Sequence, residues 1–478
     1  MKRDVAVSLF FIRIFSSIGF GFLYSSLALF LIKNLHYSEP FALAFTGIFI
    51  ALHYSLSILS GLILGRWISY INALIFGTLL QILSLPLIYA YPTALFWGGS
   101  IFLLGSLSSS AAMNMVITER FEPQDQRRER IFMWNYAGMN LGNILGFSIA
   151  GYFQLLNNFK DASGIAIALM LISVIICILF RSKLCDIHSE YARYAPRTKT
   201  INFFKLLGCI VIFGVVIKEV LFYSIQTSWL LIVCLTIAFL AFLIFNFIKS
   251  QDKKNALIFI ALAVSYLLFW SLYFLIPTGL TIFINYNTSG SLFGVQTPPA
   301  WLPNINSILI IFGAPLIGLL FKKMDAKYGW TPVHKFIVGL FYLAIAFLPL
   351  DAGILLAHLQ LVNLAWVALT YVLLSMSELF IGPVGFAAVG QYVDRNLQSS
   401  MTGLWIGILG FGGLIASKLS SLIVITGHDL HQSNRQFLVL FMWLFLFSML
   451  SCIGLYCFKV FSAARAKKML AIIRNVGI

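Results

Sequence analysis

Residues 364–391 read LAWVALTYVLLSMSELFIGPVGFAAVGQ, a long apolar run whose one formal charge is Glu378. A helix needs about 20 apolar residues to cross the hydrocarbon of a bilayer, so this stretch is long enough to span it. The same pattern recurs outward in both directions. Of the 478 residues 60% are hydrophobic and 10% charged, whereas ordinary globular domains carry about 25% charge. The mean hydropathy is +0.94. Such a composition cannot build a water-soluble surface and reads as an integral membrane protein. It leaves no length for a soluble catalytic domain, so an enzyme is not expected.

Apolar runs bounded by charges, Pro, Gly or Asn fall near 6–32, 40–64, 71–91, 95–118, 131–155, 162–180, 203–223, 227–248, 255–285, 304–321, 335–350, 364–391, 401–425 and 434–458. The expectation is an all-α membrane protein of about 14 spans. With the N-terminus inside, inward connections hold 26 Lys and Arg and outward ones hold three, Lys33, Lys160 and Arg435. That bias predicts cytoplasmic termini in a cytoplasmic (inner) membrane. The net charge of +16 is therefore a topology signal, and nucleic acid is not an expected partner. The first run is too long for a signal-peptide core and lacks a small-residue cleavage site, so it reads as a retained span.

The six cysteines form no C-x-x-C pair and the seven histidines no H-x-x-x-H pair, so neither disulfides, a metal site nor a cofactor is expected. Residues 181–205 make the longest polar stretch and read as a linker between bundles. The division expected is 1–182 for an N-terminal six-helix bundle, 183–202 for a cytoplasmic linker, 203–250 for two inserted helices and 251–458 for a C-terminal six-helix bundle. The tail 459–478 interleaves basic and apolar residues, which suits either a helix on the inner leaflet or a solvated tail. The connection 286–303, with Gly290, Gly294 and three prolines, is expected to be irregular.

Away from the ends of the runs, five charges lie within them: Arg13, Lys218, Glu219, Glu378 and Lys418. Each costs about 2.5–3.5 kcal/mol on insertion scales, so each is a functional candidate. Lys218 and Glu219 lie near the outer end of their span, where snorkelling accounts for them. Lys418 follows Gly412, Gly413, Ala416 and Ser417 and either snorkels or lines a cavity. Glu378 sits mid-span, where a carboxylate needs water, a cation or a proton. Arg13 stays charged and must meet water, an anion or Glu378. Ser108, Ser109 and Ser110 read as packing residues rather than a substrate platform.

Asn-Ile-Asn-Ser-Ile-Leu-Ile-Ile-Phe-Gly-Ala-Pro (304–315), Ser-Glu-Leu-Phe-Ile-Gly-Pro-Val-Gly (377–385) with Thr-Gly-Leu-Trp (402–405), and Phe-Glu-Pro-Gln-Asp-Gln-Arg-Arg (121–128) followed by Asn-Tyr-Ala-Gly-Met-Asn-Leu-Gly (135–142) carry a resemblance. In this order they resemble the proton-dependent oligopeptide transporter family of the major facilitator superfamily. The resemblance implies two six-helix bundles with two helices inserted between them. It implies further that Glu378 receives a peptide's amino terminus and that Tyr54, Tyr136, Asn140, Thr278, Asn306 and Trp405 contact the substrate. No catalytic residue is implied, and the chain is expected to act as a monomer.

The departures lie mainly in the first half. Where the family carries E-x-x-E-R-F-x-Y-Y, this chain has Arg13-Ile-Phe-Ser16-Ser17-Ile-Gly-Phe20-Gly21. The family lysine of the fourth span aligns with Ser110, and the glutamine before the ninth-span Pro-Thr pair with Leu275. The inward loop Gly61-Leu-Ile-Leu-Gly65-Arg66 lacks the family aspartate. Local charge nevertheless stays roughly balanced, because cations and carboxylates are lost together. The expectation is a secondary transporter of small peptides or peptide-like solutes working by alternating access, with Arg13 as a displaced cation. Protons would couple through Glu378, the remaining matched carboxylate, or transport is driven otherwise. The alternatives are a carrier of an amino acid, a carboxylate siderophore or a drug-like molecule, and a non-transporting sensor or scaffold.

Overall fold

The computed structural model describes residues 2–121, 127–358, 360–423 and 429–476. Within the quoted motifs, 122–126 lie outside the described residues, as do 477–478 of the tail. The chain forms fourteen long helices among the described residues: α1 (Lys2–Leu29), α2 (Glu39–Ile63), α3 (Tyr70–Tyr89), α4 (Leu95–Arg120), α5 (Arg127–Leu155), α6 (Phe159–Leu179), α7 (Pro196–Phe222), α8 (Ser224–Lys249), α9 (Lys253–Tyr273), α10 (Pro303–Tyr328), α11 (Pro332–Ile345), α12 (Leu364–Tyr392), α13 (Gln398–Ser421) and α14 (Leu430–Val476). Among the described residues, thirteen helical segments are long and apolar enough to cross a membrane. The further long helix, α5, is diluted by Asn135, Asn140, Asn143 and Gln154. It lies along α1 and needs fewer apolar residues because much of it faces protein and cavity rather than lipid. The tail continues α14 as one helix to Val476.

Hydrocarbon offers the backbone no hydrogen-bond partner, so continuous helix is the way an open chain crosses it. Starts are marked by side-chain caps where the chain meets water. Ser69 accepts from the Asn72 amide, Asp252 from Lys254 and Asn255, and Asn363 from Ala365. After α9 the chain makes a π-helical turn at Ile276–Leu280, which contains Pro277. A proline removes one backbone donor, and wider turns of this kind absorb the break.

Apolar side chains gather into separate cores. One draws on α9 to α14 and includes Phe259, Tyr266, Phe336, Tyr371 and Trp405. Another lies mainly among α1 to α6 and includes Phe22, Phe45, Phe49 and Phe102, with a smaller cluster of Leu9, Ile71, Met113 and Val116 toward the inner ends. This is the two-bundle arrangement of the major facilitator superfamily. Helices α7 and α8 stand outside it, α7 against α4 through a 2.7 Å bond from the Ser100 hydroxyl to the Gly214 carbonyl, and α8 against α2 and α13. Most of their apolar side chains are exposed, as lipid-facing helices require. The halves meet along α2 and α13, where a Cβ on Gly410 would stand 2.5 Å from the Ser55 hydroxyl. Glycine there permits backbone approach that no larger residue allows.

The linker is fastened rather than free. Both carboxylate oxygens of Asp186 accept from the Tyr70 amide at 2.9 Å, Glu119 accepts from the Ile187 amide at 2.7 Å, the Tyr191 amide donates to the Gly65 carbonyl at 2.7 Å, and Asn202 donates to the Arg66 carbonyl. Burial pushes the Asp186 carboxyl above its ordinary range. The linker thereby pins the end of α2, the start of α3 and the end of α4 together. Replacing Asp186 by Ala orphans the Tyr70 amide and is expected to cost about 1–3 kcal/mol, measured as a lower Tm and faster amide exchange at Tyr70.

Candidate functional site

Between the halves lies a cavity of about 510 Å³, within the range of roughly 300–1,000 Å³ common for sites that take small organic molecules. Helices α1 to α5 line it on one side and α9, α12 and α13 on the other. A second space of about 90 Å³ adjoins it toward Pro303 and shares Phe20, Tyr54, Tyr136 and Glu378 with it.

Arg13 is on α1, where the family resemblance places a glutamate. Its terminal nitrogen points at the Met139 sulfur at 2.9 Å, and its buried Nε has no hydrogen-bond partner. Among the described residues no carboxylate pairs with it. Glu378 is on α12, with its Oε2 accepting from the Asn306 amide of α10 at 2.8 Å and its carboxylate also accepting from the Tyr273 hydroxyl of α9. Asn306 bonds in turn to the Ser375 hydroxyl at 3.1 Å, one turn before Glu378. The two charges face one cavity and do not bond to each other. The ion pair that the sequence left open is not formed; Glu378 is held by neutral donors from neighbouring helices.

Of the other sequence candidates, Tyr54 and Tyr136 line both spaces, while Asn140 and Asn306 line the smaller. Tyr136 is 41% exposed, and Asn140 is tied to its carbonyl at 3.1 Å. Thr278 and Trp405 line neither. Thr278 is fully buried in the π-helical turn, donating to the Phe274 carbonyl at 2.8 Å and accepting from Ser420 at 3.0 Å. Trp405 lies behind the wall, stacked on Tyr266 with ring centres 4.3 Å apart, so it supports a cavity residue instead of facing the cavity. Lys418 places its ammonium 4.5 Å over the Trp229 ring of α8 and not in the cavity. Lys218 bonds to Glu219 at 2.7 Å at the exposed face of α7.

Sequence reasoning missed His53 and Gln81. His53 Nδ1 bonds to the Ser106 hydroxyl at 2.7 Å and its ring stacks on Phe20 at 3.9 Å. Gln81 is 3% exposed, yet its Oε1 has no partner. A polar side chain inside an apolar span was the available signal for both. The serine run divides: Ser108 bonds back to the Leu104 carbonyl at 3.3 Å, while Ser109 and Ser110 line the cavity.

At its Trp301 end the cavity is closed by contacts between the halves. Trp301, just before α10, fits against Gly151 of α5, and its indole N–H donates to the Ser148 carbonyl at 3.0 Å. The Ala300 amide reaches Gln154 at 3.3 Å, and Lys33 reaches Asn285 at 2.5 Å.

A family model described as the POT family matches residues 111–435. The chain belongs to the POT family. Dipeptide and tripeptide permease A of Erwinia pyrifoliae is 25% identical over 432 residues, covering 87% of this chain and 85% of that protein. Dipeptide and tripeptide permease B of Salmonella typhimurium is 24% identical, covering 83% and 82%. Among solved structures, a POT peptide transporter in complex with sulfate superposes with a TM-score of 0.83 at 20% identity, covering 96% of this chain and 94% of that one. A tetrameric transporter, PepTSo2, superposes with a TM-score of 0.82 at 15% identity over the full length of both. The POT fold is thus that of this chain.

If Trp301 seats only because Gly151 lacks a side chain, Gly151→Leu should loosen the closure at Trp301. In a cysteine-free background carrying Ser307→Cys, a membrane-impermeant maleimide applied from the Trp301 side should react several-fold faster with this variant than with Gly151 intact.

Proposed function

We propose that this protein carries short peptides or peptide-like zwitterions across the cytoplasmic membrane by alternating access of its two bundles, as a proton symporter. The observation that carries this reading is the separated pair: a guanidinium and a carboxylate face one cavity without neutralising each other. A zwitterion brings a carboxylate to Arg13 and an ammonium to Glu378 and so completes both. Membership of the POT family and the permeases named for dipeptides and tripeptides support peptides over the amino acid, siderophore, drug-like and scaffold alternatives.

The bundles divide at 182 and 251, with 183–202 the linker and 203–250 the two inserted helices. The termini lie in the cytoplasm, which the bias of Lys and Arg toward one set of connections supports. The substrate-contacting residues on this reading are Arg13, Tyr54, Tyr136, Asn140, Asn306 and Glu378. The working unit is the single chain, since one copy supplies both charged ends of the site.

Coupling requires that proton and substrate bind differently to the two access states. Glu378 is the titratable carboxylate at the substrate position, and Asn306 and Tyr273 reach it from α10 and α9. These donors share a bundle with Glu378 and move with it, so rocking the bundles changes its distance from Arg13 and its access to water, and its affinity for a proton changes with the state.

Purified protein in liposomes should take up labelled dialanine faster under an inward proton gradient. Glu378→Gln should abolish the gradient stimulation and Arg13→Gln should weaken uptake about tenfold or more, the scale of one lost charge-assisted hydrogen bond. Folded, monodisperse protein that takes up no peptide under either condition would sink the reading.

A further inference from the structure

The half of the cavity beside Arg13 is lined by neutral hydrogen-bonding groups with unused capacity. Gln81 of α3 lines the cavity with little of its surface, and its Oε1, covered as the side chain now sits, has no partner. Whichever way the amide is turned, it presents a donor and an acceptor. Its Cγ lies 2.9 Å from where a Gly105 Cβ would stand, and the next residue, Ser106, holds His53, whose ring lies on Phe20 of α1. One packed chain thus links Gln81 to the helix that carries Arg13. Ser109 and Ser110 line the same wall, and across it the Oδ1 of Asn143 is buried without a partner. The one formal charge on the α1 to α5 side of the lining is that of Arg13.

Unpartnered polar atoms in a wall that faces a ligand space are costly until a ligand meets them. We infer that this wall is a selectivity pocket for the carboxyl-terminal side chain of the peptide, taking neutral amide and hydroxyl side chains, with Gln81 as the residue that reads them. The inference rests on the orientation proposed above, in which the peptide carboxylate lies at Arg13 and its last side chain therefore lies beside it. An aliphatic side chain there leaves the Gln81 amide dry and unpaired. A lysine side chain meets Arg13 with no carboxylate on that wall to balance it. An asparagine or glutamine side chain can donate to and accept from Gln81 at once, the reciprocal pairing that makes a polar site reject analogues lacking the group.

The test is competition against labelled dialanine uptake in proteoliposomes, using Ala-Gln, Ala-Asn, Ala-Leu and Ala-Lys. Ala-Gln and Ala-Asn should compete about tenfold better than Ala-Leu, the factor corresponding to one buried polar group left unpaired, and Ala-Lys should be the weakest. Gln81→Leu should collapse the ratio of Ala-Gln to Ala-Leu toward one. Gln81→Glu, close to isosteric, should raise Ala-Lys above Ala-Leu by placing a carboxylate in the wall, and this gain keeps the test informative if the Leu variant folds poorly. Equal competition by Ala-Gln and Ala-Leu in the unmodified protein would overturn the inference and leave peptide transport standing. Absence of dialanine uptake from folded protein would instead overturn the proposed function on which it rests.

Discussion

Two opposite charges share one cavity and are kept apart. A guanidinium and a carboxylate free to meet in a low-dielectric interior would pair, and paired they would have little left to offer a ligand. Here Arg13 lies against the Met139 sulfur, and Glu378 is held by Asn306 and Tyr273. The separation is maintained by helices from both halves, so the polarity of the cavity is a property of the assembly and of no single span. The composition of α5 follows from the same constraint. Its Tyr136, Asn140 and Asn143, which leave it less apolar than the other long helices, line the smaller space beside Glu378.

The closure at Trp301 is built from weaker material. Trp301 seated on Gly151, one indole hydrogen bond and an amide contact to Gln154 hold the two halves together there. An exposed lysine bonded to a neutral asparagine adds little net stability in water. A closure that must open in every cycle suits contacts of this kind, each worth little. The contact along α2 and α13 differs in character: it is a close backbone approach, suited to a pivot that persists while the ends on either side move.

The first half lines the cavity with hydroxyls and amides around the single charge of Arg13. Ser16 and Ser17 both donate back to the Arg13 carbonyl, so they decorate α1 without adding charge. Ser109, Ser110, His53 and Gln81 make the facing wall neutral and hydrogen-bonding. The second half keeps the motif surrounding Glu378 together with its Asn306 partner. The two sides of the cavity therefore differ in what they can recognise: one is built around a carboxylate and its donors, the other around a lone cation set among neutral polar groups.

The amino-acid sequence by itself determined the membrane class, the positions of the long helices and the family. Backbone groups in hydrocarbon have to be satisfied within the segment, so apolar runs of sufficient length have one outcome whatever surrounds them. It also singled out Arg13 and Glu378, since a charge inside a span is conspicuous on cost alone. What it left undecided is the rotation of each helix about its axis, which is set by the packing of the whole bundle. That is why Thr278 and Trp405, matched by motif, turned out to lie in the π-helical turn and behind the wall, while His53 and Gln81, one residue from a matched tyrosine and alone in an apolar helix, turned out to face the cavity. Whether the two charges would pair was likewise decided only in three dimensions, because the sequence places them on α1 and α12 and the distance between those helices is fixed by every other helix in the protein.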